Sequence, residues 1–298
     1  MPSTGAGSSI PSHRDLDRPG GREEERMTAA TITERYVELS HGKTRLLEAG
    51  TGEPVILLHG AGYTSDADSW RLTIPALATR LRVLALDCLG WGLGDRLPTA
   101  YSFAYLVDHV REVQDALGLA RTHVVGHSMG GWIASLLAYE SPQRVDKLVL
   151  VASGGTATRP LPTMTQWNPP TEEQVREELE RRFGGQGVDL DRLMAQQRKK
   201  LANADWIEAF RKVMAHMTDP LTRARYNTRR RLPYITAPTL IIWGREDAVN
   251  PLAMGEETHR LIPGSRLLVF EGCGHDVPAE RAEAFNRAVL EFLAPDPA

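Results

Sequence analysis

Short, nearly continuous apolar runs punctuate the chain: Val55–Leu58, Val83–Leu86, Val124–Val125, Leu148–Val151, Leu240–Trp243 and Leu267–Phe270. Runs of this length without polar alternation are the pattern of parallel strands covered on both faces. Ahead of them, Thr33–Leu39 and Lys43–Glu48 alternate apolar and polar positions about Ser-His-Gly, which predicts an antiparallel hairpin. Helical periodicity fills the gaps. Ser102 is placed to cap a helix that runs to Leu117 and stops at Gly118, and Gly130–Tyr139 and Ala282–Leu293 form two more. Strands alternating with helices predict an α/β fold with a mostly parallel, doubly wound sheet, whose ligands gather at the carboxyl ends of the strands.

The alternation breaks between Thr156 and Tyr234. Four prolines (Pro160, Pro162, Pro169, Pro170) open a stretch that turns helical and charged over Glu172–Phe183, Asp189–Ala202, Asp205–Met217 and Leu221–Arg231. It is too long for a crossover connection, so residues 156–234 are expected to form a helical cap inserted into a core of residues 29–155 and 235–298. Residues 1–28 are rich in Pro, Ser, Gly and charge, lack the apolar run of a secretory signal, and are expected to be a disordered tail; Met27 offers an alternative start.

Composition narrows the partners. The 298 residues carry a net charge of −3, which argues against nucleic acid and an anionic membrane surface, and no stretch approaches the apolar length of a membrane span. A cytoplasmic protein acting on a small molecule is the expectation. Charge is divided unevenly: residues 156–234 hold 15 Lys and Arg against 10 Asp and Glu, a net +5, which leaves −8 elsewhere. Part of that positive charge is expected to face an anionic substrate. Cys88 and Cys273 are too few for a disulfide framework and are expected to be free.

The chemistry is carried by Gly126-His127-Ser128-Met129-Gly130, a G-x-S-x-G sequence between a predicted strand and a predicted helix. A sharp strand–turn–helix bend in that context lifts the Ser128 hydroxyl above the sheet as a nucleophile. A serine needs a base and the base an orienting acid. His275 follows the last predicted strand and Asp247 the one before it, in the chain order Ser…Asp…His; Glu246 is the rival acid. His127, beside the serine on a bend, points away from the base position. The developing oxyanion needs amide donors, expected from Met129 and from Ala61 in His59-Gly60-Ala61-Gly62, with His59 shaping that loop. Gly60, Gly62, His127 and Asp276 are expected around the bound substrate. No metal-ligand spacing, phosphate loop or dinucleotide fingerprint occurs, so neither a metal nor an organic cofactor is expected.

Four motifs in order, His59-Gly60-Ala61-Gly62, Asp87-Cys88-Leu89-Gly90-Trp91-Gly92, Gly126–Gly130 and Gly274-His275, resemble the α/β-hydrolase family over residues 32–294. Within it the chain is similar to the meta-cleavage product hydrolases, through Ser128–Gly131, Thr239–Asp247, Ala284–Arg287 and Phe292-Leu293. The resemblance implies cleavage of a carbon–carbon bond in a vinylogous diketone acid formed by aromatic-ring opening. It also implies a cap arginine on the substrate's anionic end, matched by Arg198, and is compatible with a homo-oligomer. Two positions depart: His127 stands where that group usually has Asn, and Asp276 where it usually has Trp. They leave open a carboxylesterase or lactonase, alongside cofactor-free perhydrolysis and a non-catalytic ligand-binding member of the fold.

Overall fold

The computed structural model describes residues 31–97, 100–160 and 162–294; the predicted tail, 1–28, lies outside them. Eight strands build one sheet: β1 (Thr33–Leu39), β2 (Gly42–Ala49), β3 (Glu53–Leu58), β4 (Leu81–Leu86), β5 (Thr122–His127), β6 (Val145–Val151), β7 (Thr239–Gly244) and β8 (Arg266–Phe270). Their order is β1-β2-β4-β3-β5-β6-β7-β8. The β1–β2 hairpin adds antiparallel to β4, and every other pairing is parallel.

The continuous apolar runs reflect burial on both faces. Along β3, Val55, Ile56, Leu57 and Leu58 are all 0% exposed. Ile56 and Leu58 face a core shared with α2 (Phe103–Ala116), α3 (Met129–Glu140) and Ile262. Val55 and Leu57 face the opposite core, with α1 (Ile74–Leu77) and the C-terminal Ala282–Leu293. Ser102 caps α2 by accepting from the Tyr105 amide. The sheet thus presents the carboxyl ends of β3, β5, β7 and β8 on one rim.

Between β6 and β7 lie α4 (Pro162–Thr165), α5 (Glu172–Phe183), α6 (Leu190–Leu201), α7 (Ala204–Thr218) and α8 (Pro220–Tyr226). A capping box of Thr171 and Gln174 starts α5, and Asp189 and Asn203 cap α6 and α7. Val175, Leu179, Phe183, Leu193 and Met194 form a small core of their own. The predicted helix over Leu221–Arg231 ends instead at Tyr226. There Asn227 donates to the Thr156 carbonyl (3.2 Å) and Thr228 N to Gly155 O (2.9 Å), so backbone pairing with the stretch after β6 replaces the next helical turn. After β7 come α9 (Leu252–Leu261), α10 (Val277–Glu280) and α11 (Ala282–Leu293). No helix among the described residues is long and apolar enough to cross a membrane.

Charged residues seal the segment to the sheet. Lys200 of α6 reaches Asp66 at 3.1 Å with both side chains 2% exposed. Beside them Arg45 of β2 pairs with Asp68 at 2.6 Å and Asp87 at 3.2 Å. Tyr63 donates to the Lys200 carbonyl at 2.8 Å.

Candidate active site

Ser128 occupies the turn between β5 and α3 with φ +55° and ψ −111°, a conformation that L-residues seldom adopt. Packing enforces it. A Cβ on Gly126 would meet the Gly130 carbonyl oxygen at 2.3 Å, and one on Gly130 would meet Leu58 O at 2.1 Å, so only glycine lets the strand, the turn and α3 approach this closely. Ser128 N donates to Val151 O (2.8 Å), and its carbonyl accepts from Gly154 N (3.1 Å) and Trp132 N (3.2 Å). The backbone of Ser128 is pinned, which leaves its side chain to the cleft.

His275 sits in the loop after β8, and its Nδ1–H donates to Asp247 Oδ2 at 2.8 Å. The Asp247 side chain is 0% exposed, and its other oxygen accepts the amides of Val249 and Asn250, each at 2.8 Å. These bonds lock the carboxylate, which fixes the imidazole tautomer with Nε2 free to accept. Glu246 turns elsewhere: its Oε2 accepts from Cys273 N at 2.8 Å and braces the loop that carries His275.

The two neighbouring histidines act as struts. His127 Nε2 donates to the His275 carbonyl at 2.9 Å, and the rings lie 4.9 Å apart. Burial, with His275 nearby, lowers the His127 pKa to about 4, so the ring is neutral at pH 7. His59 Nε2 accepts from Cys88 N (3.0 Å), which leaves its Nδ1–H to donate to Gly60 O (2.7 Å). Burial lowers it to about 4 as well, so this tautomer persists and ties the His59–Gly62 loop to the end of β4. Gly60 abuts Ser128: a Cβ there would lie 3.4 Å from both Ser128 Cβ and His127 Nδ1. Among the described residues neither the Ala61 amide nor the Met129 amide has a protein acceptor.

A cavity of about 800 Å³ brings together Gly60, Ala61, Gly62, His127, Ser128, His275 and Asp276 under the helices of the inserted segment. Tyr63, Trp167 and Phe210 form an aromatic cluster in its wall, with ring centroids 4.5 to 5.4 Å apart. Arg198 is not there. It lies on the outer face of α6, half-exposed, with Nε 2.8 Å from Glu172 Oε2. The arginines that line the cavity are Arg181 and Arg182 of α5, and Arg182 Nε stands 2.7 Å from Asp276 Oδ2. Burial alone would raise the Asp276 carboxyl; Arg182, together with His127 and Arg181, offsets this and holds the group below its ordinary value.

The sequence itself marks Arg182. Val175, Leu179, Arg182 and Phe183 form the buried stripe of α5, and an arginine inside an apolar stripe requires a partner. Elsewhere, Glu53, His123 and Asp146 hold ligating atoms within 4.8 Å of one another, at the amino ends of β3, β5 and β6. The two His123 nitrogens face different carboxylates, at 3.2 Å and 3.1 Å, a geometry that suits a bridging ring better than one shared ion. Cys88 and Cys273 are buried and free.

Comparison with known proteins agrees with this architecture. Residues 53–282 match the family described as alpha/beta hydrolase fold. A 2-hydroxy-6-oxononadienedioate/2-hydroxy-6-oxononatrienedioate hydrolase of Cupriavidus pinatubonensis is 37% identical over 280 residues, which cover 88% of this chain and 95% of that one. Its counterpart in Escherichia coli is 34% identical, covering 88% and 96%. Among solved structures, a meta-cleavage product hydrolase of Pseudomonas fluorescens, in a serine-to-alanine form complexed with acetates, superposes with a TM-score of 0.73. It is 30% identical, and the match covers 88% of this chain and 97% of that one.

Proposed function

The chain belongs to the α/β-hydrolase family, and from that premise we propose that it is a serine hydrolase that cleaves a carbon–carbon bond in a vinylogous diketone acid. Residues 156–234 act as a cap over a core of residues 29–155 and 235–298. Support comes from relatives named as hydrolases of this kind over most of the chain, and from one geometric observation. His275, held by the buried Asp247 at 2.8 Å, lines the same cavity as Ser128, a serine held at φ +55°.

In this reading His275 Nε2 takes the Ser128 proton as Oγ attacks the ketone carbon. The oxyanion forms between the Ala61 and Met129 amides. The carbon–carbon bond breaks, its electron pair passes into the dienolate half, and a proton from His275 completes that product. Water, deprotonated by His275, then releases the acyl half from Ser128 as a carboxylic acid. One water is consumed: its oxygen enters the new carboxyl group and its hydrogens are divided between the products. His127 holds His275 through the backbone carbonyl, and Arg182 and Asp276 shape the cavity wall.

A parallel assay on a synthetic ring-cleavage dienone acid and on p-nitrophenyl esters tests this. Turnover of the dienone at a kcat/KM above that for the esters is expected. Ester turnover without loss of the dienone chromophore would replace this reading with an esterase.

A further inference from the structure

A second cavity, of about 330 Å³, shares Ala61, Ser128, Met164 and Val249 with the larger one, so a molecule bound at the nucleophile can extend into both. Much of its wall is apolar, with Trp132, Met129, Met217 and Met254. Three arginines also line it, Arg159, Arg223 and Arg229, and one of them is buried. Arg223 of α8 is 4% exposed, with its guanidinium 5.3 Å from the centre of the Trp132 ring.

Its isolation sets it apart. The described residues include four buried basic side chains, Arg45, Arg182, Lys200 and Arg223. Arg45 meets Asp68 and Asp87, Arg182 meets Asp276, and Lys200 meets Asp66. Arg223 meets no carboxylate among the described residues: Nη1 donates to the Ala157 carbonyl at 3.1 Å, and Nε is buried without an acceptor. A buried cation left without a counter-ion is costly, because desolvation is not offset by attraction. Burial here pushes the guanidinium pKa down with no opposing charge. A second polar atom in the same wall is also unanswered: Thr156 is 2% exposed and its Oγ1 is buried without a partner. Arg159 and Arg229 line the same cavity; Arg229 is tied to Glu257 at 2.8 Å.

We propose that this cavity binds a carboxylate at the far end of the acyl group transferred to Ser128, with Arg223 as its counter-ion and Thr156 as a hydroxyl donor. The smaller cavity takes a short acyl chain and the larger one takes the dienol half. The substrate class is therefore a dioic acid whose second carboxylate lies on the acyl side. The nature of the bond cleaved rests on the function proposed above; the acidic acyl chain does not. The relatives named for a dienedioate carry two carboxylates in their own substrate.

The test compares p-nitrophenyl hemisuccinate with p-nitrophenyl butyrate, esters that share a leaving group and differ in the terminal carboxylate. It is repeated with a dienone bearing a carboxylate on its acyl side and with the matching methyl ketone. The wild-type protein should prefer the acidic partner of each pair. Arg223→Met should cut kcat/KM for hemisuccinate on the order of 10²-fold, in line with loss of one partner from a buried charge pair. Butyrate turnover should stay within about threefold. Thr156→Val should lower it less, in the same direction, and keeps the test decisive if Arg223→Met does not fold. Equal losses on both esters, or a wild-type protein indifferent to the carboxylate, would overturn the proposal. Preference for hemisuccinate with neither dienone cleaved would leave this inference standing and remove the carbon–carbon reading.

Discussion

Arg182, on α5 of the inserted segment, and Asp276, next in the chain after His275, form an ion pair with Nε 2.7 Å from Oδ2. It joins the roof of the cleft to the loop that carries His275. Removing Arg182 leaves the buried Asp276 carboxylate with only the half-exposed Arg181, at 3.4 Å, so Arg182→Leu should cost about 3 kcal/mol by urea denaturation. Arg182→Leu combined with Asp276→Ala should cost less than the sum of the two, a coupling that a double-mutant cycle reads directly.

Ser128→Ala should lower kcat on the order of 10⁴–10⁶-fold by analogy with triad deletions elsewhere. Asp247→Asn should lower it roughly 10³–10⁴-fold, because an amide at this position favours the wrong imidazole tautomer. Glu246→Gln keeps an acceptor for the Cys273 amide and should change kcat by less than about tenfold. Pre-steady-state kinetics on the dienone separates these outcomes, and comparable losses at positions 246 and 247 would contradict the assignment of the acid.

Acid should destabilise the fold. Burial lowers His59 and His127 to about 4 and His109 to about 3, whereas all three titrate near 6.5 when unfolded. The unfolded chain therefore binds more protons between about pH 6.5 and 4, and stability present above that window is lost as pH falls through it. Asp87 works in the opposite sense. Burial raises it to about 6, with Asp66 adding and Arg45 opposing, so its contribution fades as pH rises through that value. Three imidazoles against one carboxyl leave about two excess protons on the unfolded chain, a slope near 2.7 kcal/mol per pH unit. Calorimetric Tm should fall steadily from pH 7 to pH 4.5, and His109→Gln should flatten the curve.

Lys200→Met should weaken docking of the inserted segment. It strands Asp66, a carboxylate that Lys200 and Arg45 hold below its ordinary value against the opposing effect of burial. A loss of about 3–5 kcal/mol is expected. Adding Asp66→Asn should recover part of it, as measured by chemical denaturation.

The sheet was legible because its signal is local. Each apolar run is a strand buried on both faces, and the G-x-S-x-G turn is a feature of five consecutive residues whose glycines meet backbone. The order of Ser128, Asp247 and His275 followed from their positions after predicted strands. The inserted segment was harder to read, since its functional faces depend on partners far away in the chain. Arg198 looked apt by spacing yet turns to Glu172, whereas Arg182 is buried by Asp276, 94 residues on. The end of α8 was missed for the same reason: Asn227 and Thr228 bond to residues before the insertion begins or at its first position. Glu246 and Asp247 could be told apart only by where their oxygens point.

The close approach of Gly130 to Leu58, with Gly126 against Gly130, has an evolutionary consequence. Ser128, the first turn of α3 and the end of β3 meet through main-chain atoms, so their spacing depends on no rotamer and few substitutions can perturb it. Much of the remaining lining of the two cavities hangs from α5, α7 and α8, outside that knot. Lineages descending from such a scaffold can therefore change diet by altering helices over the cleft while inheriting the bond-breaking apparatus intact.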